Sequence, residues 1–328
     1  MAYSSRIMLP AKDRLTLCFA HVAYRLQERF LLRQTGMTSF EVPSLEDLQR
    51  RLPEADVLVV SGLWRNALLD QAPRLRFIQS ISAGVDQYDA AMLKARDIRL
   101  ASAQGANERA VAEHAMALIL ALNRRVGEAR DNQTRRHWRP MMSEFARRED
   151  ELGGKTLLIV GFGRIGQRLA KLAKAFDMRV IGLRRNTAAA GPGADAVHPI
   201  GELSALLPQA DVVALTCPLT PETQGLIGAS ALAAMKPGVL LINVARGRCV
   251  DEEALIAALD NGKLAGAGLD CFAEEPLGGE SPLWNFPNVL ITPHSAGETR
   301  RYEDNVLDLL LENLDRLWAG RALANQIV

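Results

Sequence analysis

Four short segments carry residue types that can do chemistry at a spacing that lets them do it. Gly161-Phe-Gly163-Arg-Ile-Gly166 stands directly after the apolar run Leu157–Val160 and before a helical pattern containing Leu169, Leu172 and Phe176. Strand, GxGxxG and helix in that order are the fingerprint of a dinucleotide site. Gly161 permits a tight turn, Gly163 lets a pyrophosphate approach the backbone, and Gly166 lets helix and strand pack closely. The helix's free N–H groups and its dipole then hold the anion. The other three segments each place a charged or titratable residue just after an apolar run. They are Asn243-Val-Ala-Arg246-Gly247, Gly266-Ala-Gly-Leu-Asp270-Cys-Phe-Ala-Glu-Glu275-Pro276 and Pro287-Asn-Val-Leu-Ile-Thr-Pro-His294-Ser-Ala-Gly297. Open α/β sheets bind their ligands at the carboxyl ends of strands. An arginine there can hold and polarise an anion, and a histidine near a carboxylate can give and take a proton.

A fifth segment bears on cofactor choice. NAD-selective sites place an Asp or Glu about 20 residues after the glycines, to accept hydrogen bonds from the ribose hydroxyls. Here the sequence reads Arg184-Arg185-Asn186, with no carboxylate nearby. A carboxylate would repel a 2′-phosphate, whereas two guanidiniums would pair with it. NADP is therefore the expected cofactor, with NAD as the alternative.

These residues need elements to hold them. Leu15–Phe19, Asp56–Val60, Arg76–Ile81 and Ile98–Ala101 read as strands, with helices over Tyr24–Arg33 and Leu45–Arg51. Asn107 is the expected N-cap of a long Ala-rich helix over Glu108–Leu122. A second alternating set follows: strands over Leu157–Val160, Arg179–Leu183, Asp211–Leu215, Val239–Asn243 and Val289–Ile291, with helices over Arg164–Phe176 and Glu252–Leu259. Alternation of this kind implies parallel sheets covered on both faces. The last helix, Tyr302–Gly320, puts Val306, Leu307, Leu310, Leu311, Leu314, Leu317 and Trp318 on one face and is expected to pack back on the first domain. The expected organisation is a discontinuous substrate domain, 1–104 and 297–328, and a dinucleotide-binding domain, 105–296. The most basic stretch, Arg124–Arg148, holds eight arginines against three acidic residues and reads as a solvated helix and connector, with a subunit-contacting or ligand-facing arm as the alternative.

Composition excludes several classes. The 328 residues carry 39 Lys+Arg against 38 Asp+Glu, so nucleic-acid binding through bulk positive charge is not expected. The longest apolar run, Ala115–Leu122, is far short of the ~20 residues of a membrane span. The start, Met1–Arg6, has no apolar stretch behind it, so no signal peptide is expected. Cys18, Cys217, Cys249 and Cys271 lie far apart with no CxxC pairing, which fits reduced thiols in a cytoplasmic protein with no metal cage.

In order and spacing the motifs resemble those of the D-isomer-specific 2-hydroxyacid dehydrogenases, which include glyoxylate/hydroxypyruvate reductases and phosphoglycerate dehydrogenases. The resemblance covers nearly the whole chain and includes Pro218-Leu-Thr-Pro-Glu-Thr223…Gly225-Leu-Ile besides the segments above. It implies two doubly wound parallel-sheet α/β domains, one Rossmann-type and one flavodoxin-like, with the site in the cleft between them. It implies that Arg246 binds the substrate carboxylate and carbonyl oxygen, that His294 is the acid/base, and that Glu275, directly before the proline, pairs with His294. Ser82-Ala83-Gly84-Val85 resembles the substrate-carboxylate loop. Asp270 is similar to the family residue near the nicotinamide carboxamide, and Thr216-Cys217-Pro218 to the wall on the adenine side. Arg164, Ile165, Thr223, Val244, Ala245 and Ala296 complete the cofactor-contacting set. Trp138 lies where relatives can reach across a dimer toward a substrate site, and a homodimer is implied. The expected reaction is hydride transfer between NADP(H) and a small 2-keto acid, glyoxylate or hydroxypyruvate first, with hinge motion near Gln104–Asn107 and Ser295–Glu298.

Four rival readings remain at this point. A phosphoglycerate-type dehydrogenase using NAD is one, although a chain ending at Val328 leaves no room for the regulatory domain of the long forms. A dinucleotide-sensing corepressor is the second. Formate dehydrogenase, which carries glutamine where Glu275 stands, is the third, and phosphite-type oxidation the fourth.

Overall fold

A computed structural model describes residues 9–145, 148–187 and 191–328. The described residues divide into two compact units, one running to Asn107 and resuming at Thr299, the other spanning Glu108–Glu298.

The first unit opens with β1 (Thr16–Ala20), α1 (Leu26–Leu31), β2 (Thr38–Val42), α2 (Leu45–Arg51), β3 (Val57–Val60), β4 (Phe77–Ser80), α3 (Ala90–Ala95) and β5 (Arg99–Ala101). The second unit contains α4 (Glu108–Asn123), α5 (Val126–Thr134), β6 (Thr156–Val160), α6 (Arg164–Lys174), β7 (Arg179–Arg184), β8 (Ala196–Pro199), α7 (Leu203–Leu206) and β9 (Val212–Leu215). It continues with α8 (Ala229–Ala234), β10 (Val239–Asn243), α9 (Glu252–Asp260), β11 (Leu264–Leu269) and β12 (Val289–Ile291), and α10 (Tyr302–Trp318) returns to the first unit.

Strand order in the first unit is β2-β1-β3-β4-β5, all parallel, the flavodoxin-like order. Its central strands are buried on both faces, as β3 (Val-Leu-Val-Val) and β4 (Phe-Ile-Gln-Ser) show, and this is why they read as unbroken apolar runs rather than alternating ones. One face is covered by α10: Val306, Leu307, Leu310 and Leu314 join Leu15, Leu17, Phe19, Val57, Val59 and Phe77 in one core. Buried Asn313 fixes the helix's rotation by donating to Gln79 Oε1 and accepting from Ala324 N–H. The Tyr302 hydroxyl donates to the Ile81 carbonyl.

In the second unit the order is β12-β11-β10-β9-β6-β7-β8, again all parallel. The chain reverses its direction of winding between β6 and β9, the switch point where open sheets bind ligands. Val111, Ala115, Leu118 and Ile119 of α4 pack with Leu169, Ala170 and Ala173 of α6 over β6 and β10.

Several local expectations shift. The helix expected from Tyr24 begins only at Leu26, because the His21 Nδ1 accepts the N–H groups of Ala23 and Tyr24 and holds that segment as a turn. Helix α6 stops at Lys174, before Phe176, and α10 at Trp318, before Gly320 with its φ of 65°. Asn107 does not cap α4: its Oδ1 is buried and makes no hydrogen bond. The local preference of asparagine for a cap yields here, where the chain passes from one unit to the other.

Candidate active site

The glycine turn after β6 has the shape its residue types require. Gly161 has a φ of 99°, and a Cβ on it would lie 2.4 Å from the Cys217 backbone nitrogen, so only glycine fits where the loops after β6 and β9 touch. Thr216 Oγ1 donates to the Gly161 carbonyl at 2.8 Å and ties those loops together. A Cβ on Gly166 would meet the Gly161 carbonyl oxygen at 2.8 Å, which is the close helix–strand packing expected of that position. Gly163 has open space before it and stands as the N-cap residue of the eleven-residue α6. A cradle bounded by backbone, open at Gly163 and headed by a helix N-terminus fits a dinucleotide pyrophosphate. Arg164 is exposed and Ile165 half-buried on the first turn. Arg184 is the half-buried last residue of β7 and Arg185 the exposed residue after it. The Glu222 carboxyl is held below its usual range first by a hydrogen bond from Thr220, then by backbone, with Arg185 adding its charge. Cys217 is buried beside this turn. Thr223, expected among the cofactor contacts, braces the 218–223 loop from within: its hydroxyl donates to the Pro218 carbonyl at 2.7 Å and accepts from Thr220 N–H at 2.8 Å.

The loop after β10 is shaped by a residue whose role the sequence did not reveal. Asn243, fully buried, donates to the Arg246 carbonyl at 3.0 Å and accepts from Ala245 N–H at 3.0 Å. That closes a turn in which Val244 and Ala245 are buried and Arg246 is extended and half-buried. Gly247 then sits against the next loop so tightly that a Cβ would lie 1.8 Å from the Phe272 carbonyl carbon. An Asn closing a strand-end turn is a recurrent local signal, and it is the one available for Asn243.

After β11, Asp270 is buried and the chain turns back at 272–275. Glu275 Oε1 accepts from Phe272 N–H at 3.0 Å, and its Oε2 accepts from His294 Nδ1 at 2.8 Å. The hydrogen bond to Glu275 raises the His294 pKa above its ordinary value, against the effect of burial and of the Arg246 charge. Burial pushes the Glu275 carboxyl upward, but the bonds from His294 and Phe272 outweigh it and hold it below its usual range. The two partners move in opposite directions, as an ion pair requires. With Nδ1 engaged by Glu275, Nε2 is the ring nitrogen left to meet a substrate. Arg246, Glu275 and His294, expected together, are brought together: the Arg246 charge acts on both members of the pair. His294 has a φ of 54°, the left-handed region.

Asp270 has partners besides any cofactor. Its carboxylate accepts from the Thr292 hydroxyl at 2.6 Å, from Ser295 N–H at 2.9 Å and from Ala296 N–H at 3.1 Å. Ala83, Gly84 and Val85, the expected substrate loop, lie half-buried after β4 in the first unit. There Ser82 Oγ meets Ser61 Oγ at 2.6 Å, and Gln87 Nε2 donates to Ser61 Oγ at 3.0 Å.

A doubly wound parallel sheet with a glycine cradle at its switch point and an Arg–Glu–His set at its strand ends defines the class of nicotinamide-dependent dehydrogenases. Comparison with known proteins carries this further. The family "D-isomer specific 2-hydroxyacid dehydrogenase, NAD binding domain" matches residues 116–296. The chain is 38% identical over 301 residues to a glyoxylate reductase of Aeropyrum pernix, covering 88% of this chain and 87% of that one. It is 36% identical over 313 residues to a glyoxylate/hydroxypyruvate reductase B of Yersinia enterocolitica, covering 93% of each. The crystal structure of a D-isomer specific 2-hydroxyacid dehydrogenase family protein from Aeromonas salmonicida superposes with a TM-score of 0.83 at 33% identity, covering 96% of this chain and 99% of that one. The chain belongs to the D-isomer specific 2-hydroxyacid dehydrogenase family. It is an NAD(P)-dependent oxidoreductase that transfers a hydride between a nicotinamide cofactor and a 2-hydroxy acid/2-keto acid pair.

Proposed function

We propose that the protein is an NADP(H)-preferring reductase of small 2-keto acids, glyoxylate and hydroxypyruvate first, and that Arg246, Glu275 and His294 carry the reaction. The observation behind this is the 2.8 Å pair of His294 Nδ1 with Glu275, within the field of Arg246. A reduced nicotinamide, when bound, would supply the hydride to C2 of the acid. Negative charge then builds on the carbonyl oxygen, and Arg246 holds the carboxylate and polarises that oxygen, which orients and stabilises it at once. His294, cationic because Glu275 favours its proton, donates from Nε2 to the oxygen; in the oxidation direction the neutral ring takes the proton back. Backbone N–H groups of Ala83, Gly84 and Val85 add donors for the carboxylate.

Gly161, Gly163, Arg164, Ile165 and Gly166 would hold the pyrophosphate, the 216–218 segment would wall the adenine side, and Val244, Ala245, Asp270 and Ala296 would line the nicotinamide end. The Arg184–Arg185 pair at the end of β7, with no carboxylate beside it in sequence, favours a 2′-phosphate over free ribose hydroxyls. The substrate domain is the segment pair 1–104 and 297–328, and the dinucleotide-binding domain is 105–296. We place the protein in the cytoplasm, where its four cysteines, all free and buried, stay reduced.

A homodimer is part of the same proposal. Helix α5 buries no residue, and beyond it Trp138, Met141 and Phe145 are 94%, 98% and 85% exposed, apolar surface that a second copy would cover. Sedimentation equilibrium of a dimer mass supports this, and a monomer mass at micromolar concentration refutes it.

The direct test follows nicotinamide absorbance with NADPH and NADH at equal concentration against glyoxylate, hydroxypyruvate, pyruvate and a bulkier 2-keto acid. Fastest turnover with NADPH and one of the two smallest acids is expected. Faster turnover with NADH overturns the cofactor assignment, and preference for the bulkier acid overturns the substrate assignment.

A further inference from the structure

Three separate elements of the second unit meet behind His294. The buried Asp270 carboxylate is an acceptor only, so the Thr292 hydroxyl at 2.6 Å gives its proton to Oδ1. The Thr292 oxygen is thereby left as an acceptor, and His114 Nε2, at 2.9 Å, must be the donor to it. The result is a one-way chain from His114 N–H to Thr292 O–H to Asp270, with His114 Nε2 also 3.6 Å from Asp270 Oδ1. The same carboxylate accepts the N–H groups of Ser295 and Ala296. Its contacts at 292, 295 and 296 therefore bracket His294, whose backbone is in the left-handed conformation, uncommon for a non-glycine residue.

His114 reaches this place because of how α4 lies on the sheet. His114, Leu118 and Leu122 are spaced by four and share a helix face. Opposite them on β11 stand Gly268 and Gly266: a Cβ on Gly268 would lie 2.9 Å from Leu118 Cβ, and one on Gly266 would lie 3.2 Å from Leu122 Cδ2. Any side chain at 268 would lift the helix from the strand and draw the imidazole off Thr292.

We propose that His114 is a positioning residue for His294, acting through Thr292 and Asp270 to hold the 292–296 turn in its left-handed form. The inference rests on the reading of His294 as the acid/base. The groups facing the His294 ring are Glu275 from the turn after β11, Arg246 from the loop after β10 and Asp270 from the end of β11. A relaxed turn therefore moves the ring relative to all three, and a ring misplaced by about 1 Å loses on the order of 10- to 100-fold in turnover.

The experiment compares His114→Leu, His114→Gln and His294→Ala by kcat, by the KM for the nicotinamide cofactor, by the pH profile of reduction and by thermal midpoint. The expected result is a kcat loss in H114L of about 10- to 100-fold, larger than any rise in cofactor KM, and an alkaline limb moved to lower pH as the His294–Glu275 pair loosens. H114Q, whose amide can still donate to Thr292, should restore most of both. Wild-type kcat and pH profile in H114L overturn the proposal. So does equal impairment of H114L and H114Q in step with a fall in thermal midpoint, since His114 would then be serving only the fold. Turnover that survives His294→Ala instead overturns the acid/base reading, so the two failures are distinct.

Discussion

Replacing Gly247 by alanine isolates one contact between the loop that carries Arg246 and the loop that carries Glu275. The added Cβ would lie 1.8 Å from the Phe272 carbonyl carbon, 2.1 Å from its oxygen and 2.4 Å from Ala273 N, all backbone atoms that no rotamer change can move. Ordinary contact begins near 3.4 Å, so the two loops must separate by about 1.5 Å or the strand ends must tilt. Phe272 N–H is itself the donor to Glu275 Oε1, and the displacement therefore passes directly to the carboxylate that holds His294. A shift of about 1 Å in such a constellation costs on the order of 100-fold in rate. The overpacking costs about 1–3 kcal/mol of stability, or roughly 2–12 °C in melting temperature at about 2–4 °C per kcal/mol for a unit of this size. Steady-state kcat/KM for keto-acid reduction, measured beside a thermal unfolding curve, reads both effects. A Gly247→Ala enzyme within threefold of wild-type kcat/KM and with an unchanged melting temperature would show that this contact does not set the spacing of Arg246 and Glu275.

Three further outcomes follow from the geometry. Reduction needs the His294 cation, which is present below the raised pKa, so kcat/KM should fall as pH rises through that value while oxidation gains over the same range; Glu275→Gln should move the limb to lower pH, and a limb that stays fixed contradicts the pairing. Changing Arg184 and Arg185 to alanine should raise the KM for NADPH about tenfold or more, the scale of lost hydrogen bonds to a charged group, and leave that for NADH unchanged; equal effects on both cofactors would remove the 2′-phosphate role. Asn313→Leu, which strands the buried Gln79 Oε1 and Ala324 N–H, should cost about 1–3 kcal/mol in urea unfolding, and an unchanged midpoint would mean that α10 is held by its apolar face alone.

The central strands were legible because both their faces are buried: β10 has the expected bounds, and β6 and β9 differ from theirs by a single residue. Two edge strands, β2 and β8, were not. In β2 (Thr-Ser-Phe-Glu-Val) only Phe40 and Val42 are buried, and β8 (Ala-Val-His-Pro) has no fully buried residue, so neither leaves an apolar run to read. In the site, Arg246, Glu275 and His294 could be found because each follows a strand and so declares its place locally. His114 could not, because Thr292 is 178 residues away along the chain and only the packing of α4 on β11 brings them together. Thr223 and Asp270 show the converse: motif position marks them, but it does not reveal that the Thr223 hydroxyl braces its own loop or that the Asp270 carboxylate is engaged by the 292–296 turn.

The return of α10 to the first unit orders events during synthesis. The second unit is one continuous stretch and can close as soon as it leaves the ribosome. The first cannot: Leu17, Phe19, Val57 and Phe77 wait for Val306, Leu307, Leu310 and Leu314. At about 5–20 residues per second, the roughly 200 residues between them delay that cover by about 10–40 s. Through this interval a five-stranded sheet with one bare apolar face is exposed to holdase chaperones or to neighbouring chains. Substitutions that thin the apolar face of α10 should therefore reduce the yield of soluble protein before they measurably alter the finished enzyme.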